Sequence, residues 1–211
     1  MVELLEVFGN DLTVVNAARV SFAKESVQFS KADEKLVTYL AKNNHISPFF
    51  HPQIRFRLKM PIFVAREWFR HQIGFARNEV SRRYVDTVPE CWIPNVGDLR
   101  ERDPNLKQGS RSDSIAEAES VHRVIKDHTE GCISVYQYLL EQKVAPEIAR
   151  CVLPQSMITE FIETGSLAAY SRLYKLRNDP HAQKEIRDIA TQVGEFMEIH
   201  FPISWKALTS A

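Results

Sequence analysis

Residues Arg70 to Tyr84 read Arg-His-Gln-Ile-Gly-Phe-Ala-Arg-Asn-Glu-Val-Ser-Arg-Arg-Tyr, a run with four arginines, one histidine and one glutamate. The guanidinium group is planar, permanently charged and able to bind bidentately, so such a cluster suits phosphates and carboxylates. The apolar pattern Pro61-Ile62-Phe63-Val64-Ala65-Arg66-Glu67-Trp68-Phe69 precedes it. The charges therefore sit at the end of a rigid element. A solvated surface, with Glu67 on Arg70 and Glu79 on Arg82 or Arg83, accounts for the charge pattern alone equally well. The alternation from Asn78 to Tyr84 argues for more. In an extended segment Glu79, Ser81 and Arg83 share one side, and an acceptor, a hydroxyl and a cation together can hold the sugar and phosphate of a nucleotide.

Two further groupings lie towards the C-terminus. Glu147 and Arg150 are three apart on a short helix, as neighbours able to form a local ion pair. Arg177 is expected in a turn before a helix, with His181 in that helix's first turn, where the dipole favours anions.

The elements that must position these residues follow from periodicity. Val2 to Phe8 reads as a strand. Asn10 or Asp11 caps a helix reaching about Val20. Ser30 caps a helix over Lys31 to Asn43, with Leu36, Tyr39 and Leu40 on one face. Asn43 to Pro52 is a loop. Ile54, Phe56 and Leu58 alternate with Arg55, Arg57 and Lys59, which gives a half-buried strand with a cationic outer face. Pro61 suits the first turn of the next helix. Tyr84 to Trp92 is read as extended, and Pro94 to Asp113 as a polar surface loop or lid. Ser114 to Gln142 carries Ile115, Ala118, Val121, Ile125, Cys132, Val135 and Leu139 at helical spacing. A short helix over Pro146 to Val152, a strand over Ser156 to Thr164, helices over Ser166 to Leu176 and Pro180 to His200, and a short piece from Pro202 to Leu208 complete the chain. Without regular βαβ alternation, this is α+β in a single domain.

Composition narrows the function classes. The 211 residues carry 27 Lys plus Arg and 27 Asp plus Glu. That balance argues against general nucleic-acid or membrane-surface binding. No apolar segment reaches the roughly 18 residues of a membrane span. Cys91, Cys132 and Cys151 fit no disulfide framework, so a cytoplasmic protein is expected. The seven glycines form no dinucleotide or P-loop fingerprint. His128 and Cys132 could share a helix face, but no further ligands stand nearby, and no metal site is expected.

Taken together, these pieces resemble the flavin-dependent thymidylate synthases, also called thymidylate synthase complementing proteins. That family is marked by Arg-His-Arg, seven or eight residues, then Ser. Here Arg70-His71-Gln72 is followed by eight residues and Ser81. Ala18-Arg19-Val20-Ser21-Phe22, His45 to His51, Pro61 to Arg66, Arg83-Tyr84, Ala149 to Pro154 and Leu176-Arg177 through Gln183 match in the family's order. The resemblance implies a homotetramer with a small, mainly antiparallel sheet surrounded by helices, and active sites shared between subunits. It implies conversion of dUMP to dTMP with methylenetetrahydrofolate as carbon donor and a bound FAD reduced by NADPH. By match, Arg70, Glu79, Ser81, Arg82, Arg83, Arg150 and Arg177 hold dUMP. Ser21, His45, Ser47, Arg70, His71, Gln72, Glu79 and His181 line the FAD site. Arg177, Ser81 and His45 are the catalytic expectations: Arg177 polarises the uracil, Ser81 serves the phosphate without acting as nucleophile, and His45 stands where folate and nicotinamide stack on the flavin.

The departures are specific. Gln72 replaces the third motif residue, an arginine, and Arg77 is expected to compensate. Glu67 stands for a common glutamine and Phe50 for an acidic residue. Ser166 and Arg172 stand for asparagines that often contact FAD. Two other classes compete. One is a binding module using Arg55, Arg57, Lys59 and Arg70 to Arg83 as a cationic groove. The other is a cysteine-based thymidylate synthase using Cys91, Cys132 or Cys151 as nucleophile, with Cys132 expected on the core face of its helix.

Overall fold

The computed structural model describes residues 1–105, 110–111 and 113–210. Its elements in chain order are β1 (Val2–Phe8), α1 (Asp11–Arg19), α2 (Lys31–Lys42), β2 (Gln53–Pro61), α3 (Ile62–Trp68), β3 (Phe75–Glu79), α4 (Ala118–Glu141), α5 (Pro146–Ala149), β4 (Ile158–Ser166), α6 (Leu167–Arg177), α7 (Lys184–His200) and α8 (Pro202–Thr209). The strands form one antiparallel sheet in the order β1-β2-β4-β3. The α+β class with a small antiparallel sheet is thus observed.

Contacts group the chain into two compact units. The first comprises Met1–Leu58, Phe69–Asn78 and the chain from Ile162 onward; the second comprises Lys59–Trp68 and Glu79–Phe161.

In the first unit, β1 and β2 pair antiparallel, Val2 opposite Leu58 and Phe8 opposite Gln53. Ile54, Phe56 and Leu58 point into the core, as their alternation requires. Arg55 and Arg57 face outward, but each meets a carboxylate, Glu6 at 2.7 Å and Glu3 at 3.0 Å. Helices α6, α7 and α8 pack on one another. They bury Leu167, Leu173, Ile186, Val193, Met197 and Trp205. The amides that open α8 are served from a distance: Asp11 accepts from Ile203 N at 3.1 Å and Ser204 N at 2.8 Å. Asn10 instead forms a capping box with Thr13 and starts α1.

A second anchor lies at the start of α2. Asp33 is 1 % exposed. It accepts from Arg19 Nη2 at 2.6 Å, Ser26 Oγ at 3.1 Å and Ser30 Oγ at 2.6 Å. The Ser30 hydroxyl first, with Arg19 and Ser26, holds its carboxyl down at about 2 despite burial. This ties down the segment carrying Ser21. The buried face of α2 is Val37, Leu40 and Ala41, whereas Tyr39, expected inward, is 57 % exposed.

Arg77 and Glu163 form the charged heart of this unit. Arg77 Nε donates to Glu163, whose carboxylate is fully buried. The guanidinium also lies 4.7 Å from the centroid of Phe75 and 5.3 Å from that of Phe69. Tyr170 packs edge-on to Phe75 at 4.8 Å and to Phe56 at 5.5 Å. Gly165 makes that packing possible, because a Cβ there would stand 2.6 Å from both the Phe75 and Tyr170 rings. Arg77 is therefore committed to Glu163 and two rings, which corrects the expectation that it stands in for the arginine missing at Gln72.

In the second unit, Pro61 is the last residue of β2 rather than the first of α3. The first amides of α3 are met by the chain leading into β4: Ile62 N donates to Met157 O at 2.9 Å and Phe63 N to Gln155 O at 3.1 Å. Val64, Ala65, Trp68, Tyr136, Met157 and Phe161 are buried here. Lys59 meets Glu160 at 3.2 Å. Helix α4 begins at Ala118, not Ser114, and Ser114 instead bridges to Arg100. Only Ala118, Thr129 and Tyr136 of α4 are buried; Cys132 is half-buried and Val135 is exposed. Of the expected stripe, Ala118 is buried, Ile115, Val121, Ile125, Cys132 and Leu139 are half-buried, and Val135 alone is exposed. Tyr84 to Trp92 is irregular, touching β4's approach through a single bridge of Cys91 to Met157. The polar segment from Pro94 includes a 3-10 turn at Val96–Asp98, and part of it lies outside the described residues.

Replacing Arg77 by Met removes the cation from a buried carboxylate. Chemical denaturation should show a loss of about 3–5 kcal/mol. A loss below about 1 kcal/mol, the level of an exposed pair, would show that the contact is incidental.

Candidate functional site

The arginine-rich run does not continue as a strand. β3 stops at Glu79, and Ser81 opens a turn in which its carbonyl accepts from Tyr84 N at 3.0 Å and Val85 N at 3.1 Å. Ser81 Oγ also accepts from Arg83 N at 3.3 Å. The expected alternation of Glu79, Ser81 and Arg83 is therefore broken, and a tight turn puts Arg82 in Arg83's place. Glu79, Ser81 and Arg82 line a cavity of about 550 Å³ together with Glu147, Arg150 and Cys151. Ile62, Val80, Leu153 and Met157 add apolar lining, and Thr159 lines it as well.

Each polar group in this cavity has a definite setting. Arg82 is half-buried and donates from Nη1 to Thr87 O at 2.6 Å, while its Nε is buried with no hydrogen-bond partner. A buried cationic donor without a partner is costly, and an anion in the cavity would satisfy it. Arg150 is exposed, in the 3-10 turn Arg150–Val152 that follows α5, and its Nε donates to Glu147 O at 3.3 Å. The Glu147 carboxylate lies 3.7 Å from Arg83 Nε, so in place of the Glu147–Arg150 ion pair that the spacing allows there is a Glu147–Arg83 contact. Thr159, 2 % exposed, donates from Oγ1 to Glu79 Oε1 at 2.5 Å. Cys151 is exposed in the same wall. Cys91 is half-buried, and burial pushes its thiol up. Cys132 Sγ lies 3.6 Å from His128 Nε2.

A second grouping lies in the first unit. Arg177 is the last residue of α6 and does not lie in a turn before α7. Its Nε donates to His71 Nε2 at 2.9 Å. An accepting Nε2 leaves the proton of the neutral ring on Nδ1, which points His71's one donor away from Arg177. Burial, then the charges of Arg177, Arg77 and Arg172, lower the His71 pKa to about 4. Arg172 donates to Ile73 O at 2.6 Å and lies 5.8 Å from the Phe50 ring. The two departures Phe50 and Arg172 thus meet each other. Ser166, the third, is the buried cap of α6, accepting from Ala169 N at 3.2 Å.

The remaining expected residues sit on exposed turns of the same unit. Ser21 lies in the 3-10 turn Val20–Phe22 and Ser47 in Ser47–Phe50. His45 stacks edge-on to Tyr39 at 5.8 Å. Arg70 and Gln72 are exposed between α3 and β3. His181 is three residues short of α7, in a turn where its N–H donates to Asp179 Oδ1 at 2.8 Å. It is therefore outside the first helical turn in which it was expected. The sequence pattern did not reveal Thr159 as a site residue, nor the contacts of Glu147 with Arg83 and of Arg172 with Ile73. Their signals are contacts made across the fold, without a local period.

Residues 3–203 match the family model described as thymidylate synthase complementing protein. The chain belongs to that family. A protein of Thermosipho melanesiensis named flavin-dependent thymidylate synthase is 36% identical over 205 residues, which is 97% of this chain and 88% of that protein. One of the same name from Thermus thermophilus is 37% identical over 207 residues, covering 98% and 74%. Among solved structures, a UMP/dUMP methylase, PolB, from Streptomyces cacaoi bound with 5-Br dUMP shares 31% identity at a TM-score of 0.89, covering 100% of this chain and 94% of that one. The thymidylate synthase complementing fold is thus matched over essentially the whole chain. Among the described residues no group of three or more His, Cys, Asp or Glu could hold a metal, and no helix is long and apolar enough to cross a membrane.

The His71 shift has a pH consequence. The folded ring binds fewer protons than the unfolded one between about 4 and 6.5, so stability present above pH 6.5 is lost as pH falls towards 4. Thermal midpoints measured across this window should drop less in His71→Gln, which keeps an acceptor for Arg177, than in the parent. Parallel profiles would show that His71 is protonated in the fold.

Proposed function

We propose that the protein converts dUMP to dTMP, with methylenetetrahydrofolate as the one-carbon donor. The observation that supports this best is the cavity in which Glu79, Ser81, Arg82 and Arg150 converge, with the Arg82 Nε buried and without a partner. A 5′-phosphate supplies the anion that these cations lack. Arg83 adds a further cation near Glu147. Ser81 donates its hydroxyl to the phosphate, since its oxygen already accepts from Arg83 N. Glu79 accepts from the sugar. No histidine stands among the cavity-lining residues to activate Ser81 as a nucleophile.

Arg177 is assigned to the uracil ring, with Arg70 as a further nucleotide contact. A fixed guanidinium beside a ring carbonyl stabilises negative charge that develops there during addition. The Arg177–His71 hydrogen bond supports this role by holding the guanidinium in one orientation. His45 is assigned to the face where folate and nicotinamide bind.

The residues of the first unit fit a flavin dinucleotide. A diphosphate requires cations and donors, and Arg70, the Nδ1–H of neutral His71, Gln72, Ser21 and Ser47 supply that set, with His181 as a further polar contact. When bound, FAD reduced by NADPH supplies the reducing equivalents of the reaction. The fit of several motifs to the family also supports a homotetramer with active sites shared between subunits. The cationic-groove alternative loses its basis, because Arg55, Arg57 and Lys59 each face a carboxylate.

The test is a visible spectrum of the flavin-loaded protein titrated with dUMP. Flavin bands should shift, and Arg177→Ala should keep its flavin while turnover falls by about 10²–10³-fold. Near-normal turnover in that variant would remove Arg177 from the chemistry.

One observation favours a second reading. Cys151 is exposed in the nucleotide cavity, where a cysteine-based mechanism would place its nucleophile. Replacing Cys151 by Ala should nevertheless leave dTMP formation in place. Abolished turnover with dUMP binding intact would establish covalent catalysis.

A further inference from the structure

We propose that Thr159 is a positioning residue for substrate selection: its hydroxyl occupies one oxygen of Glu79 and so directs the other to the free sugar hydroxyl of the pyrimidine nucleotide. This rests on the nucleotide reading of the cavity. Thr159 is 2 % exposed, on β4, and its Oγ1 donates to Glu79 Oε1 at 2.5 Å. A short hydrogen bond to a carboxylate is among the stronger kinds, so it fixes the χ3 angle of Glu79 as well as its position. The backbone reinforces it one residue on, where Val80 N donates to Glu160 O at 2.9 Å. Glu79 therefore enters the cavity held at two levels, side chain and main chain, at the point where β3 gives way to the Ser81 turn.

A carboxylate left to rotate would present either oxygen, or neither, to a ligand. One whose Oε1 is occupied presents Oε2 in a single direction. The chemistry of the ligand then decides what this oxygen meets. With the 5′-oxygen esterified to phosphate, dUMP retains one sugar hydroxyl, at the 3′ carbon. It is a donor, and a carboxylate oxygen is an acceptor-only group, so the pairing has one polarity. A binding site that holds a substrate hydroxyl discriminates against the analogue that lacks it, because the acceptor then loses its donor.

Calorimetric titration of the flavin-loaded chain with dUMP and with 2′,3′-dideoxy-UMP separates positioning from mere structural pinning. Thr159→Val keeps the shape and removes the hydroxyl. It should weaken dUMP by about fivefold, the net worth of one hydrogen bond, and leave the dideoxy nucleotide unchanged. Thr159→Ser, which restores the donor, should recover dUMP binding. Thr159→Ala carries the same expectation as valine should the valine variant not accumulate. An equal loss for both nucleotides would mean that Thr159 only pins β3 to β4. No loss for either would mean that Glu79 does not need it, and both outcomes overturn the proposal. Parent protein that binds neither nucleotide would overturn the nucleotide reading itself, a failure distinct from the other two.

Discussion

A single buried charge pair governs how β3 leaves the core. Glu163 is fully buried on β4, and such a carboxylate is tolerated only with a cation at hand. Arg77 supplies it from β3, under the rings of Phe69 and Phe75. Once Arg77 is held there, the chain on either side has little freedom. Upstream, His71 is left among arginines and stays neutral. Downstream, Asn78 closes this stretch of the first unit, and Glu79 ends the strand ahead of the Ser81 turn. The apolar neighbours of the pair, Phe75 and Tyr170, meet only because position 165 is glycine. The charged contact and the missing side chain are thus two parts of one packing solution.

The two clusters of candidate side chains differ in their electrostatics. Around His71 the ring gives up its charge, and Arg177 keeps a neutral acceptor. Around Ser81 the cations are left under-compensated. Arg82 retains a buried donor without a partner, and Arg150 contributes only one hydrogen bond to a backbone carbonyl. The first arrangement favours fixed geometry, and the second favours capture of an anion.

Periodicity revealed what repeats locally and missed what depends on contacts across the fold. The caps Asn10 and Ser30, the alternation along β2 and the helices over Lys31 and Ser166 onward were legible because each signal sits within a few residues. The failures share one cause. Val135 and Tyr39 have helical spacing but no neighbour to bury them. The extended reading of Asn78 to Tyr84 lost to a turn closed by Ser81's carbonyl. His181 moved out of its helix because Asp179 draws the preceding backbone into a turn of its own. At the candidate site, the arginines and Glu79 could be read from the motif order. Thr159 could not, nor could the pairing of Glu147 with Arg83, since what marks them is a hydrogen bond or ion pair to a residue far away in sequence.

The ion pairs of β1 bear on a property unrelated to substrate. β1 stands at the end of the strand order, and an outer strand is a template on which a foreign strand can add. Here the ladder is irregular between Leu4 and Glu6, and Glu3 and Glu6 reach sideways to arginines of β2. An added strand would meet a broken spacing of amides and carbonyls, and would have to accommodate charged side chains already engaged with the sheet. The same carboxylates that neutralise the outer face of β2 therefore guard the sheet against growth into aggregates.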